Sequence, residues 1–208
     1  MKGAKIMRNR PSQDRSAHTV EAILEATTQI LDTPHEASIT TNHIAQRAGV
    51  SVGSLYRYFN NKQDILSVIV QREGKRLENQ ISVLIAEWSG EDVSDLIREI
   101  ARLSVDSFQG RRWVRRSLHK YLLQKDSIDS ELHALRYRVL LRLEEKLSEK
   151  DPNTFRMISD EERHAILGAW AGMLKAVTLY SPNYLSIDPL SDQLVDIINT
   201  YLRKEDQK

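Results

Sequence analysis

Hydroxyl and cationic side chains are concentrated in the stretch from Thr40 to Lys62, which reads TTNHIAQRAGVSVGSLYRYFNNK. Serine, threonine and tyrosine hydroxyls, with lysine and arginine, are the groups that proteins use to contact the phosphates of DNA. Such contacts fix the register of a protein on the duplex without reading its sequence. The stretch therefore indicates a nucleic-acid partner, provided that the local fold turns these groups outward.

Two short helices around a tight turn would position them. Thr40 can cap a helix over 41–48, and Gly49 tolerates the left-handed backbone that ends it. Ser51 can then cap a second helix through Phe59. Ala45 is small enough to lie where the helices cross. The predicted shared core is Ile44, Ala48, Val50, Leu55 and Tyr58. This arrangement is a helix-turn-helix, whose second helix enters the major groove.

The candidate DNA contacts follow from that geometry. Val52, Gly53 and Ser54 face base edges from the first turn of the second helix, and Arg57 is a candidate for phosphate or guanine. The other candidates are hydroxyl and ammonium groups around this helix, which are expected to contact DNA. The full predicted set is Thr41, Ser51, Val52, Gly53, Ser54, Tyr56, Arg57, Tyr58 and Lys62. A hairpin that only packs is the alternative, but it does not explain the tyrosines and cations around one helix.

The same stretch resembles the TetR family of bacterial transcriptional regulators. The matching positions are Thr40, Thr41, Ile44, Ala45, Ala48, Gly49, Val50, Ser51, Gly53, Leu55, Tyr56, Tyr58, Phe59 and Lys62. The detailed likeness covers roughly residues 15 to 70, and beyond them it is one of helix order. The resemblance implies an all-α fold of about nine helices, with a three-helix DNA-binding head followed by a helical ligand-binding and dimerisation domain.

Composition narrows the class of protein. The chain has 208 residues, of which 40% are hydrophobic and 28% charged, and its net charge is +1. It has no cysteine, which excludes disulfides, thiolate zinc sites and a cysteine redox sensor. We see neither a membrane-spanning run nor the apolar segment of a signal peptide, so we expect a cytoplasmic protein. The six histidines lack metal-ligand spacing, and no catalytic motif appears, so neither a metal, a cofactor nor an enzymatic activity is expected.

The predicted domains follow the helices. Residues 1–15 form a basic arm that either orders on DNA or stays a solvated tail, residues 16–61 form the DNA-binding domain, and residues 62–208 form the ligand-binding and dimerisation domain. A long helix from Lys62 links the two domains. Gly74 within it marks either a flexible point or a close packing contact.

The helix predicted near 160–180 is apolar on almost every side, so we expect a partner to cover its outer face. Gly168 and Gly172 would let another helix approach closely. We therefore predict a homodimer through the last two helices, with Gly168, Gly172, Leu194 and Ile198 at the interface. The alternative is a core helix of a monomer.

The resemblance also implies a ligand cavity in the second domain, where aromatic and polar groups occur on faces otherwise predicted to be core. The candidate lining residues are Trp88, Trp113, His119, Tyr121, His133, Tyr137 and Trp170. The favoured function is a ligand-responsive regulator of transcription, most often a repressor in such families, that binds a pseudo-palindromic DNA operator and is released by a small organic effector. Regulation by a protein partner and a helical enzyme are the alternatives. The sequence identifies neither the effector nor the operator.

Overall fold

Nine helices occupy the described part of the chain. The computed structural model describes residues 14–33, 39–106, 111–122, 126–180 and 187–204, so the predicted basic arm lies outside the described residues except for Asp14 and Arg15. The helices are α1 (Asp14–Leu31), α2 (Thr41–Arg47), α3 (Val52–Tyr58), α4 (Lys62–Glu87), α5 (Val93–Val105), α6 (Arg112–Leu122), α7 (Asp126–Lys150), α8 (Asp160–Tyr180) and α9 (Ile187–Leu202). The all-α expectation is confirmed.

Local capping explains several boundaries. Asp92 caps α5 by accepting from the Ser94 amide at 2.8 Å. At α8, the Ser159 amide donates to Glu162 Oε2 at 2.7 Å, while the Glu162 amide donates to Ser159 Oγ at 3.3 Å. This reciprocal capping box satisfies two backbone donors that would otherwise lack partners. The predicted start of α8 is thereby confirmed.

The chain divides into two compact units. Unit 1 contains residues 1–73 and 111–124, and unit 2 contains residues 74–110 and 125–208. The boundary falls inside α4, between Glu73 and Gly74, whereas the sequence prediction placed it before Lys62. In addition, α6 belongs to unit 1 and packs against α1. Sequence order alone had assigned α6 to the second domain.

The core of unit 1 lies between α1, α2, α3 and the start of α4. Ile23, Ile44, Leu55, Phe59 and Ile65 are fully buried there. Burying each such side chain contributes roughly 1.5–3 kcal/mol, so this small core can hold two short helices that would be unstable alone. The core therefore fixes the relative position of α2 and α3.

Unit 2 is a helical core built from the second half of α4 together with α5, α7, α8 and α9. The chain between α7 and α8 is joined to the end of α9, because the Arg156 amide donates to Leu202 O at 2.9 Å and the Lys204 amide donates to Thr154 O at 2.9 Å. In the described part of α4, Gly74 is buried, and a Cβ there would lie 3.1 Å from Leu135 Cδ1. Close packing, rather than flexibility alone, accounts for this glycine.

Four cations spaced one turn apart on α7 donate to α4 and to Gly90 just beyond its end, and we call this series the α4–α7 ladder. Arg138 makes a bidentate pair with Glu78 at 2.7 and 2.8 Å. These two residues are 60 positions apart in the chain, and the same separation recurs along the helices. The other pairs are Arg142 with Ser82 at 2.7 Å, Lys146 with Ala86 O at 2.9 Å, and Lys150 with Gly90 O. Since both members advance together, α4 and α7 run parallel in unit 2.

Candidate nucleic-acid interface

The predicted helix-turn-helix is present in unit 1, and its turn has the expected caps. Thr40 has extended backbone and its hydroxyl accepts from the His43 amide at 3.1 Å. Gly49 has φ +66°, a conformation that disfavours side chains with a Cβ. Ser51 then accepts from the Ser54 amide at 3.0 Å. These caps confirm why α2 stops and α3 begins where they do.

The first turn of α3 presents a small surface outside the core. Val52 is 37% exposed, Gly53 is exposed and Ser54 is half-buried. The hydroxyls of Ser51 and Ser54 lie 2.8 Å apart and hydrogen bond to each other. The three residues predicted to read bases therefore lie on one exposed edge, with Arg57 exposed on the same short helix.

A pair of hydroxyls joins α2 to α3 beside this edge. Thr41 Oγ1 and Tyr56 OH are 3.0 Å apart, and Tyr56 is 42% exposed. Lys62, at the start of α4, donates from Nζ to the backbone oxygen of Ile39 at 3.1 Å. In this structure the ammonium is thus bound to unit 1's own backbone.

Tyr58 requires a correction. The sequence analysis placed it both in the shared core and among the phosphate contacts, but only 6% of the residue is exposed. Leu55, on the same helix, is 0% exposed. The structure therefore assigns Tyr58 to the support of α3 rather than to the outer surface.

Two further contacts brace the helix-turn-helix and were not predicted. Arg72 of α4 makes a bidentate ion pair with Glu21 of α1, at 2.6 and 2.8 Å. Arg47, at the end of α2, donates from Nε to Gln29 Oε1 at 3.2 Å. These pairs join residues 51 and 18 positions apart, a distance over which helical periodicity gives no signal.

The candidate ligand-lining residues fall into separate groups. Trp113 and His119 lie on α6 in unit 1, as does Tyr121, whose side chain is outside the described part of the structure. The other four candidates are in unit 2. The sequence prediction had treated all seven as walls of one cavity in the second domain, so the assignment of the α6 residues to that domain is revised.

His133 and Tyr137 of α7 approach the start of α8. The rings of His133 and His164 stack with centroids 5.1 Å apart, and Tyr137 donates to Asp160 Oδ1 at 2.6 Å. The hydrogen bond to Asp160 raises the pKa of Tyr137. The hydrogen bonds from Tyr137 and Arg163 in turn lower the pKa of Asp160. These contacts form a partly exposed polar cluster at the α7–α8 surface.

The two tryptophans of unit 2 have different environments. Trp88 lies under the Lys150 ammonium, which is 3.9 Å from the ring centroid, and a Cβ on Gly90 would lie 2.8 Å from Trp88 Nε1. This ring therefore packs the end of α4. Trp170 is 4% exposed, and its buried Nε1 has no hydrogen-bond partner among the described residues.

The four residues predicted at the dimer interface also have different environments. Gly168 and Gly172 are exposed on α8, and a Cβ on either would meet nothing within 4 Å. Leu194 and Ile198, in contrast, are 3% and 4% exposed and belong to the core of unit 2. The latter two are corrected to core residues, because their apolar area is already buried within one chain.

None of the helices in the described residues has both the length and the apolar composition needed to cross a bilayer. Within the same ranges, no three His, Cys, Asp or Glu side chains are grouped as metal ligands.

Comparison with known proteins gives consistent results. Residues 23–69 match the family described as bacterial regulatory proteins, tetR family. An uncharacterized HTH-type transcriptional regulator from Mycobacterium tuberculosis strain H37Rv is 34% identical over 104 residues, which cover 50% of this chain and 48% of that protein. The chain thus aligns with about half the length of the curated relatives it matches.

Solved structures extend the likeness in fold to most of the chain. SmeT, the repressor of the Stenotrophomonas maltophilia multidrug efflux pump SmeDEF, has a TM-score of 0.63 at 20% identity, covering 91% of this chain and 94% of that one. The fatty acid degradation regulator FadR from Bacillus halodurans has a TM-score of 0.57 at 18% identity, with coverages of 91% and 96%. A TetR-family regulator from Streptomyces coelicolor has a TM-score of 0.62 at 17% identity, with coverages of 89% and 98%.

The family signature covers α2, the Gly49 turn and α3, which are the elements whose caps and exposed edge are described above. The relatives found by sequence are helix-turn-helix transcriptional regulators, and the similar folds include regulators of the same family. Motif, local geometry and fold therefore agree: residues 23–69 carry the helix-turn-helix of the tetR family of bacterial regulatory proteins, and the described fold is similar to that of solved TetR-family regulators.

Proposed function

We propose that this protein is a DNA-binding transcriptional repressor that binds a pseudo-palindromic operator as a homodimer and is released by a small organic effector. The observation that carries the DNA-binding part is the capped α2–turn–α3 arrangement with an exposed leading edge on α3. Such an edge is the part of a helix-turn-helix that reaches base edges in the major groove.

Phosphate contacts come from the groups beside α3. Thr41 and Tyr56 already have their hydroxyls 3.0 Å apart, so a single phosphate oxygen can accept from both with little rearrangement. Lys62 adds a charge once its ammonium exchanges the Ile39 carbonyl for a phosphate. These contacts bind every sequence alike and set the position of α3.

Sequence discrimination comes from Val52, Gly53 and Ser54, with Arg57 as a further contact. Val52 provides an isopropyl group, which can contact a thymine methyl but makes no hydrogen bond. The Ser54 hydroxyl shares one hydrogen bond with Ser51 and keeps further capacity, but a hydroxyl both donates and accepts and so separates the bases poorly. The discrimination at each of these positions is therefore moderate, and specificity depends on two half-sites read together.

Dimerisation uses the exposed face of α8. Ala165, Gly168 and Gly172 are exposed on this face, and the open space over both glycines leaves room for a second backbone. A two-fold axis through this surface would pair two heads with half-sites one helical turn apart or somewhat more. The Leu194 and Ile198 side chains support α9 from inside the same unit.

The effector part of the proposal concerns a small molecule with an apolar body and one or two polar groups. Two proteins of similar fold are described as the repressor of a multidrug efflux pump and as a fatty acid degradation regulator. In this chain the unit 2 candidates offer polar groups beside core side chains, namely His133, Tyr137 and the Nε1 of Trp170, for which the described residues supply no acceptor. Such an effector weakens DNA binding only if it binds two conformations with different affinity.

Selection of bound sequences from random duplex DNA tests the DNA-binding proposal. The expected product is a pseudo-palindrome, and Tyr56→Phe should weaken binding to all selected sequences at least about tenfold, because each head loses a charge-assisted hydrogen bond. Tyr201→Phe is the matched control, since it removes a hydroxyl from α9 in unit 2, outside the proposed sites, and should leave DNA affinity unchanged. Failure of the wild-type protein to enrich any sequence would contradict the proposal.

The effector proposal is tested with the selected operator. Metabolites and drug-like compounds are screened for release of the protein from that DNA. Any releasing compound should bind the free protein more tightly than the operator complex by the same factor by which it weakens DNA binding. If no compound releases the complex while a protein from the same cell does, regulation by a protein partner replaces the small-molecule proposal.

A further inference from the structure

Gly53 has no evident role in the packing of its own chain. It lies in α3, where alanine is more favourable than glycine by up to about 1 kcal/mol. A Cβ at this position would meet only Ser51 Oγ, at 3.9 Å, which is an ordinary contact distance. Among the described glycines, positive φ is found at Gly49, whose turn needs it, and not at Gly53. The absence of a side chain is therefore not explained by backbone strain or by crowding.

At Gly74, in contrast, packing within the chain explains the absence of a side chain. A Cβ on Gly74 would lie 3.1 Å from Leu135 Cδ1 and 3.4 Å from Leu132 Cδ2, so that site is filled by neighbouring side chains. The space above Gly53 is open to solvent instead. The space over Gly53 is therefore available to a group from another molecule.

The surroundings of Gly53 define the chemistry of that group. Val52, next to it, is 37% exposed and apolar. The hydroxyls of Ser51 and Ser54 hydrogen bond to each other, and the Ser54 amide donates to Ser51 Oγ, so both serine side chains are held beside each other at the start of α3. The exposed Val52 isopropyl group stands next to the bare Cα of Gly53, and we call the space over this Cα the Val52–Gly53 notch. It suits a small apolar protrusion.

We propose that the Val52–Gly53 notch receives the C5 methyl group of a thymine in the major groove. Of the groups on base edges in that groove, this methyl is the apolar one, and contact with an apolar side chain is how proteins read it. Because glycine has no Cβ, it permits the closest approach of the α3 backbone to the base. The inference rests on the proposed function, since it requires α3 to enter the major groove of operator DNA.

The experiment uses the full-length protein and the operator obtained by selection. Each thymidine of one half-site, with its symmetry mate, is replaced in turn by deoxyuridine, which removes the methyl and leaves base pairing intact. For the wild type, one such position should weaken binding by about 3- to 5-fold for each methyl group removed. Val52→Ala should reduce this discrimination at the same position and leave the other thymidines unaffected.

Gly53→Ala supplies the decisive comparison. It should raise the Tm by up to about 4 °C through helix propensity while weakening binding to the thymidine operator roughly tenfold or more. At the single deoxyuridine position the removed methyl makes room for the new Cβ. On that DNA, the Kd of Gly53→Ala should lie within about 3-fold of the wild-type Kd. Asn79→Ala is the control, because Asn79 is exposed on α4 and its replacement improves helix propensity away from α3.

Three results would overturn the notch. Gly53→Ala could bind the thymidine operator as tightly as the wild type, its defect could be the same at every deoxyuridine position, or the position rescued could be one that Val52→Ala does not affect. A wild-type protein that enriches no sequence at all would instead refute the proposed function, so the two failures are distinguishable.

Discussion

The ion pair between Glu144 and Arg163 provides a quantitative test of the core of unit 2. The Glu144 side chain is 0% exposed and that of Arg163 is 11% exposed. Arg163 Nε donates to Glu144 Oε1 at 2.8 Å and Nη2 to Oε2 at 2.8 Å. The hydrogen bond to Glu144 raises the pKa of Arg163 above its ordinary value. Arg163→Met would keep much of the packing but leave the carboxylate buried with one weak donor, the Ile158 amide at 3.5 Å.

The expected magnitudes differ for the two partners. Removing one member of a buried pair typically costs about 3–5 kcal/mol, so Arg163→Met should lower the Tm by about 6 to 20 °C for a chain of this size. Glu144→Met should cost less, because Arg163 retains Asp160 Oδ1 at 2.7 Å and reaches solvent. The double variant replaces both charges by apolar groups and should recover most of the stability.

Urea unfolding followed by circular dichroism at pH 7 gives the three free energies of unfolding. All variants must be measured at one protein concentration, because dimerisation would make the apparent stability concentration-dependent. The reasoning would be refuted if the free energy of unfolding of Arg163→Met lay within about 1 kcal/mol of the wild-type value. It would also be refuted if the double variant lost as much free energy as the two single variants together.

Three further predictions concern acid stability, assembly and DNA binding. Hydrogen bonds from Arg156 and the Ser159 amide lower the pKa of Glu162 from 4.5 to about 2, so its stabilising contribution is complete above pH 4.5 and is lost as the pH falls toward 2. Urea unfolding at stepped pH should show a flatter acid limb for Glu162→Gln, and an unchanged limb would count against this pair. Gly172→Arg should give monomers by light scattering, whereas a persistent dimer would place the interface elsewhere. Lys62→Ala should lower the salt slope of DNA binding by about one unit for each head, and an unchanged slope would leave the Ile39 carbonyl as the partner of Lys62.

Much of the fold could be predicted because its boundaries are set by short-range chemistry. Thr40, Gly49 and Ser51 each act within four residues, through a hydroxyl accepting an amide or a backbone turning left-handed. The same holds for Ser159 with Glu162. Such signals lie entirely within a short stretch of sequence, which is why both ends of α2 and the starts of α3 and α8 were predicted to within about one residue.

The remaining features depend on which neighbour covers each helix. Periodicity showed that Leu194 and Ile198 share an apolar face, but not that α5 and α8 of the same chain would bury it. Sequence order likewise placed α6 in the second domain, whereas Val114 and Leu118 are buried in unit 1. The burial of Glu144 had no sequence signal either, because an acidic residue in a helix is ordinarily at the surface.

The α4–α7 ladder restricts where the protein can tolerate insertions and deletions. Every pair is separated by 60 positions, and successive residues of a helix are rotated by about 100°. One residue inserted between Glu78 and Gly90 would turn all later acceptors away from α7, and several hydrogen bonds would break together. An insertion between α5 and α6 would change the number 60 without disturbing any pair. We therefore expect length variation among related chains to occur in the connections, while α4 and α7 keep their lengths relative to each other.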